Sequence, residues 1–216
     1  MTGRGPIDIG GVKIWKAALD RATQERLMEC VERIAEVAPF FHPETRGGRK
    51  MSVRMTSAGI CGWVSDRRGY RYERRHPAGM PWPAMPTPFL DLWDRFAACD
   101  RAPESCLVNH YVAGVRMGLH QDRDEADLTA PVLSISLGDD ALFRIGTLRR
   151  GGPTRSLWLS SGDVVLLAGE GRLVHHGIDR IRPGTSRIVP WGGRINLTMR
   201  VVTGGDASRS EAEAQD

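Results

Sequence analysis

Lysine is nearly missing from this chain. Of its 30 basic residues only Lys13, Lys16 and Lys50 are lysines, so almost all the positive charge is guanidinium. Genome composition produces that bias as easily as selection for phosphate binding does. The net charge of +4 is compatible with a nucleic-acid partner and too mild to demand one. Cysteine is scarce too. Cys30, Cys61, Cys99 and Cys106 form no Cys-x-x-Cys pair and no regular framework, which reads as small, partly buried hydrophobes in a reducing cytoplasm. No apolar run approaches the length that crosses a bilayer, and no charged-then-apolar leader opens the chain, so a cytoplasmic location without membrane insertion is expected. No internal repeat stands out. With 216 residues and 41% hydrophobic composition, one well-packed core is expected.

What is present falls into two halves. Residues 1–9 are glycine-rich and read as an extended lead-in. From residue 20 to about 38, Leu27, Val31, Ile34 and Ala38 recur at helical spacing among Arg and Glu, predicting an amphipathic helix that ends before Pro39. Residues 40–50 read as a loop carrying Arg46, Arg49 and Lys50, followed by a strand over 51–55. The stretch 61–72 interleaves Trp63, Tyr70 and Tyr72 with arginines; it suits a hairpin with snorkelling arginines or a surface that stacks bases and neutralises phosphates. Five prolines between 77 and 88 predict an extended linker. Thr87 as N-cap and Pro88 in the first turn then predict a second helix with Phe89, Leu92, Trp93 and Phe96 facing inward. From residue 106 the pattern changes to short strands at 106–112, 132–137, 141–145, 155–159, 163–167, 175–178 and 194–202. A mainly β architecture with flanking helices (α+β) follows, its core a double-stranded β-helix or jelly roll with a pocket in its mouth. Residues 204–216 are small, polar and mostly acidic, and read as a disordered tail.

The chemistry concentrates in the second half. In an extended strand residues two apart share a face, so His120 and Asp122 form a ready pair of metal ligands. A further histidine from a later strand completes two imidazoles and one carboxylate, an arrangement that leaves open positions and suits non-haem Fe(II). Alternation admits only one of His175 and His176 and does not say which. Arg194, Asn196, Thr198 and Arg200 share one face of a strand, and two arginines with an amide there need an anionic partner such as a dicarboxylate. Asn109 and Tyr111 share a face on another strand and add neutral donors. His110 alternates away from Asn109 and Tyr111 and reads as a packing or surface residue, and His42 and His76 sit in loops without partners at metal-ligand spacing.

The ordered series Asn109-His-Tyr-Val-Ala-Gly, Leu119-His-Gln-Asp-Arg-Asp-Glu-Ala-Asp-Leu-Thr-Ala-Pro131, Gly162-Asp-Val-Val, His176-Gly-Ile and Arg194-Ile-Asn-Leu-Thr-Met-Arg200 closely resembles the AlkB family of Fe(II)/2-oxoglutarate dioxygenases. The match is dense from about Met51 to Val202. The resemblance implies that His120, Asp122 and His176 hold Fe(II), its His-Gly-Ile context selecting His176. It implies that Asn109, Tyr111, Arg194, Asn196 and Arg200 hold 2-oxoglutarate, with Arg194 on the distal carboxylate and Arg200 near the iron-side carboxylate and Asp122. O2 is the other cosubstrate. Residues 1–105 then comprise an N-terminal extension, buttressing helices and a nucleotide-recognition lid, and 106–203 the catalytic core of a single structural domain.

The same resemblance implies a monomeric enzyme acting on alkylated single-stranded DNA, with no protein partner. It would demethylate 1-methyladenine and 3-methylcytosine oxidatively, releasing formaldehyde in direct repair of alkylation damage. Trp63 and Tyr70 match lid positions, Trp63 and His120 are expected to sandwich the flipped base, and Asp124 matches the family's second aspartate. Asp124 would favour a cationic methylated base, pair with Arg194 or another arginine, or do both. Met55 and Arg150 complete the expected substrate contacts, with Arg67 and Arg68 as further phosphate contacts. Two departures from the bacterial pattern, Leu167 in place of a tryptophan and Asp66 in place of a lid histidine, leave an RNA or tRNA demethylase as an alternative. A non-catalytic nucleic-acid-binding jelly roll and a hydroxylase acting on protein are more distant ones.

Overall fold

The computed structural model describes residues 5–204. Most of the expected acidic tail, residues 205–216, and the first four residues of the lead-in lie outside the described residues. In chain order the elements are β1 (Ile7–Ile9), β2 (Val12–Trp15), α1 (Arg21–Val37), β3 (Arg54–Gly59), β4 (Gly62–Asp66), β5 (Gly69–Glu73), α2 (Thr87–Phe96), β6 (Ser105–Tyr111), β7 (Met117–His120), β8 (Val132–Gly138), β9 (Asp140–Ile145), β10 (Arg155–Leu159), β11 (Val164–Leu167), β12 (His176–Arg182) and β13 (Arg194–Arg200).

Strand alternation organises the molecule into layers. On β13, Ile195, Leu197 and Met199 point to one side and are fully buried among residues of the two helices, whereas Arg194, Asn196, Thr198 and Arg200 point to the other side, into a cavity. β13 lies inside a seven-stranded sheet of order β1-β2-β11-β8-β13-β6-β3, and a four-stranded sheet of order β10-β9-β12-β7 forms a second layer. All their pairings are antiparallel. Val12, Ile14, Leu107, Val132, Val165 and Leu167 of the large sheet pack with Phe143, Ile145, Ile178 and Ile181 of the small one. This apolar contact holds the sheets face to face, and the polar face of β13 opens a gap within it.

The helices seal the outer face of the large sheet. α1 buries Leu27, Met28, Cys30, Val31 and Ile34 along one stripe. Its N-cap is Asp20, whose carboxylate accepts the Thr23 N–H at 2.8 Å, a cap of the kind that contributes about 1 kcal/mol. α2 adds the fully buried Phe89 and Trp93, each of a class contributing roughly 1.5–3 kcal/mol on burial.

Four sequence expectations need correction. Thr87 has already entered α2; the cap is Pro86, whose carbonyl accepts from Phe89 and Leu90 N–H, so backbone replaces the expected side-chain cap. The lead-in contains β1, which pairs with β2 and extends the large sheet through β11, pairings that no local pattern announces. The strand expected over 51–55 begins later, at Arg54, because its partner β6 fixes the register from Arg54↔His110 to Gly59↔Ser105. β7 ends at His120, so Asp122 is not on a strand. The stretch 61–72 does form a hairpin, β4 paired with β5 as a separate two-stranded sheet.

Candidate metal and cosubstrate centre

The two imidazoles meet because β7 and β12 are neighbours with His120 directly opposite His176. Gly177 permits that approach: a Cβ there would fall 2.6 Å from the Met117 carbonyl oxygen and 2.7 Å from that of Gly118. The ring centroids are 4.6 Å apart. His120 Nδ1 lies 2.9 Å from the Gly118 carbonyl and His176 Nδ1 lies 3.1 Å from that of Val174. Donation to these carbonyls puts the proton on Nδ1 and leaves Nε2 free to bind a metal.

Asp122 reaches the same point by another route. With no strand to orient it, its backbone carbonyl accepts from Arg172 Nη1 at 2.6 Å and its carboxylate accepts from Arg200 Nη2 at 2.9 Å. The carboxylate oxygens then stand 3.6 Å from His120 Nε2 and 3.7 Å from His176 Nε2, and the candidate ligand atoms of the three residues all lie within 4.8 Å of one another. Burial alone would raise the Asp122 carboxyl, but Arg200, helped by the two imidazoles, holds it well below the usual carboxylate range. Burial pushes His176 down to about 4. It acts in the same sense on His120, where the Asp122 carboxylate overrides it and raises the imidazole. A neutral His176 and an ionised Asp122 are the protonation states that metal ligation requires.

Arg194 occupies the far end of the cavity. It is 1% exposed, its Nη2 donates to Ser136 Oγ at 2.9 Å, and its Nε and Nη1 have no partner among the described residues. Arg200 Nε and Nη1 are also buried donors without a hydrogen bond, and Asn109 Oδ1 is a buried acceptor without one. Unsatisfied buried donors are costly, so a cavity that aims several inward is shaped for an anion. Asn196 donates to Ser134 Oγ at 2.7 Å and accepts from Thr198 Oγ1 at 2.9 Å, while the Tyr111 hydroxyl faces Met117 Sδ at 3.6 Å. Two imidazoles and a carboxylate suit Fe(II), and a guanidinium at a distance suits the second carboxylate of a keto diacid.

The cavity has a volume of about 500 Å³, and Met55, Trp63, Tyr70 and Asp124 all line it. Trp63 stacks on Tyr70 with centroids 5.4 Å apart. The alternative of Asp124 pairing with an arginine is not seen among the described residues: its Oδ2 accepts the Trp63 indole N–H at 2.9 Å. Arg150 lies outside the lining, in the exposed turn after β9. Of the remaining histidines, His175 turns its Nδ1 to the Thr147 carbonyl, and His110 is buried between Arg54 and the Gly192 carbonyl. Tyr72, Glu125 and Arg172 were missed by sequence reasoning. Glu125 lies within the 119–131 motif but carries no role there, and only the fold brings it to Arg172.

Two imidazoles and a carboxylate at one end of a cavity, with a buried guanidinium at the other, would suit 2-oxoglutarate-dependent oxygenation at Fe(II). The chain matches the 2OG-Fe(II) oxygenase superfamily over residues 11–200. It is 57% identical over 193 residues to an alpha-ketoglutarate-dependent dioxygenase AlkB homolog of Caulobacter vibrioides (strain NA1000 / CB15N), covering 89% of this chain and 88% of that protein. It is 41% identical over 200 residues to the alpha-ketoglutarate-dependent dioxygenase AlkB of Escherichia coli (strain K12), covering 90% and 91%. A solved structure described as "The structure of OsALKBH1" superimposes with a TM-score of 0.76 at 29% identity, covering 91% of this chain and 99% of that one. The chain belongs to the AlkB family of Fe(II)- and 2-oxoglutarate-dependent dioxygenases. It is therefore an enzyme, and the non-catalytic alternative falls away. Among the described residues no helix is long and apolar enough to cross a membrane.

Proposed function

We propose that this dioxygenase demethylates alkylated nucleobases in single-stranded DNA, with His120, Asp122 and His176 holding iron and Asn109, Tyr111, Arg194, Asn196 and Arg200 holding 2-oxoglutarate. The observation that carries this reading is the wall beside the candidate iron centre: Trp63, stacked on Tyr70, gives its indole N–H to Asp124. A flat ring entering between Trp63 and the His120 imidazole would find an aromatic face on each side. Asp124 would add negative charge, selecting a cationic base such as 1-methyladenine or 3-methylcytosine. A base stacked in a duplex cannot reach this cavity, so the substrate is unpaired or flipped out. With both cofactor and cosubstrate bound, O2 is consumed in an oxidative decarboxylation that yields succinate and carbon dioxide and hydroxylates the N-methyl carbon, which is lost as formaldehyde. The protein's part is to hold the methyl group against the metal centre and to exclude water.

The β4–β5 hairpin acts as the nucleotide-recognition lid in this reading, and its charges support a polyanionic substrate. Arg68 and Arg71 are engaged by Asp66, with Arg71 also bound to Glu73. Arg46 and Arg67 are placed differently. The Arg46 guanidinium lies over Gly69 at the hairpin turn and that of Arg67 over Gly48, so two turns interlock through arginines that have no carboxylate partner among the described residues. These arginines, with Arg150 in its exposed turn, are available to phosphates, and binding should weaken steeply with salt.

Mass spectrometry of short single-stranded DNA and matching RNA carrying 1-methyladenine or 3-methylcytosine tests the reading. Incubation with Fe(II), 2-oxoglutarate and O2 should remove a methyl mass, and His120→Ala should not. The DNA-to-RNA rate ratio decides between DNA repair and an RNA or tRNA demethylase. Consumption of 2-oxoglutarate without change in either polymer would move the substrate elsewhere, a protein included.

A further inference from the structure

We infer that Glu125, which the reading above leaves without a task, is the positioning residue that fixes both ends of Asp122. Its side chain is 2% exposed, so a carboxylate there must be held by partners. Oε1 accepts the Tyr72 hydroxyl at 2.6 Å and forms an ion pair, without a hydrogen bond, with Arg200 Nε at 3.2 Å; Oε2 accepts from Arg172 Nη2 at 3.1 Å. Each of those arginines then grips Asp122. Arg172 holds its backbone carbonyl at 2.6 Å and Arg200 holds its carboxylate at 2.9 Å. Arg172 also donates Nε to the Ala130 carbonyl at 2.6 Å, so it spans both ends of the 122–130 loop.

The geometry answers a question that Asp122 raises. A ligand beyond the end of its strand has no ladder hydrogen bonds to orient it, and a metal site needs each ligand held to a fraction of an ångström. Glu125 supplies the missing order from three residues away by setting the two guanidiniums. It also balances their charge. Asp122 and Glu125 offset Arg172 and Arg200 in a buried cluster, and without Glu125 a surplus cation would face a site meant for a dication. Arg200, freed of Glu125, would lose the orientation that turns its unpaired Nη1 into the cavity. Position and charge are thus two separable contributions, and two substitutions separate them.

This inference rests on assigning His120, Asp122 and His176 to the metal. Binding of Mn(II), a redox-stable stand-in for Fe(II), is measured by electron paramagnetic resonance titration without nucleic acid, then again with 2-oxoglutarate. Wild type should bind and His120→Ala should not; equal binding by both would overturn the metal assignment itself. Glu125→Gln keeps the shape and removes the charge, and should weaken Mn(II) roughly ten- to a hundred-fold, as loss of a ligand-orienting partner does. Glu125→Asp keeps the charge and withdraws the carboxylate by one methylene. It should also weaken Mn(II) at least about tenfold, whereas a role limited to charge balance leaves it at wild-type affinity. Wild-type Mn(II) affinity in a folded Glu125→Asp protein overturns the inference while the dealkylase reading stands. Should Glu125→Gln fail to fold by circular dichroism, Glu125→Asp decides alone.

Discussion

Arg194, the proposed anchor for 2-oxoglutarate, is a buried cation with few partners among the described residues. It is among the largest fully buried side chains, and burial lowers its guanidinium to about 10. Among the described residues only Ser136 accepts a hydrogen bond from its guanidinium. Replacing such a cation with a flexible apolar chain of similar volume is often neutral or stabilising. Arg194→Met is therefore expected to melt at or above the wild-type temperature. Its 2-oxoglutarate affinity should fall by about 2–5 kcal/mol, a factor of at least about thirty, read by calorimetric titration with Mn(II) present. Arg194 could be read from sequence because period-two alternation with Asn196, Thr198 and Arg200 is local. Asp122 could be picked by type, but not for the reason alternation gave. It lies past the end of β7, and a long-range grip from Arg172 and Arg200 orients it.

At the scale of elements, the pairing of β7 with β12 makes the centre. Gly177→Ala would drive a Cβ into two backbone oxygens that cannot move aside as a side chain could. The strands must separate, so a destabilisation of about 1–3 kcal/mol is expected, together with weakened Mn(II) binding as His120 and His176 part. Chemical denaturation and metal titration of the one variant check both. A second junction ties the end of β13 to the start of β6. Glu104 accepts from Val202 N–H, Thr203 N–H and the Thr203 hydroxyl, each at 2.6 Å. Burial alone would raise its carboxyl, but these hydrogen bonds override it and hold the group below its ordinary 4.5. A carboxyl depressed in the folded state adds stability above its unfolded pKa and loses it as pH falls through the folded value. Glu104→Gln should thus flatten the acid limb of the melting-temperature profile below about pH 4.5, while leaving its slope near neutrality unchanged. Helix α1 and most core strands were legible because their patterns are local; β1 and β2 were not, because a short edge hairpin takes its place from β11.

At the scale of the whole molecule, the two larger sheets close around unsatisfied donors, so ligands should complete the fold. Saturation at a hundred times Kd adds about 2.7 kcal/mol. For a chain of this size that corresponds to roughly 5–10 °C. Mn(II) with 2-oxoglutarate should produce a rise of that order by differential scanning fluorimetry, greater than either alone, and Arg194→Met should lose the 2-oxoglutarate increment. The sequence by itself determined the mainly β core, the amphipathic stripes of both helices and the residue types of the centre, because strand alternation, helical period and ligand chemistry are written into neighbours a few positions apart. Tertiary structure alone decided how Asp122 is aimed, that Asp124 accepts from the Trp63 indole, and that Glu125 and Arg172 meet beside Asp122. Each of those depends on contacts between segments distant in sequence, where the free energy lies in burial and paired charge that no local pattern records.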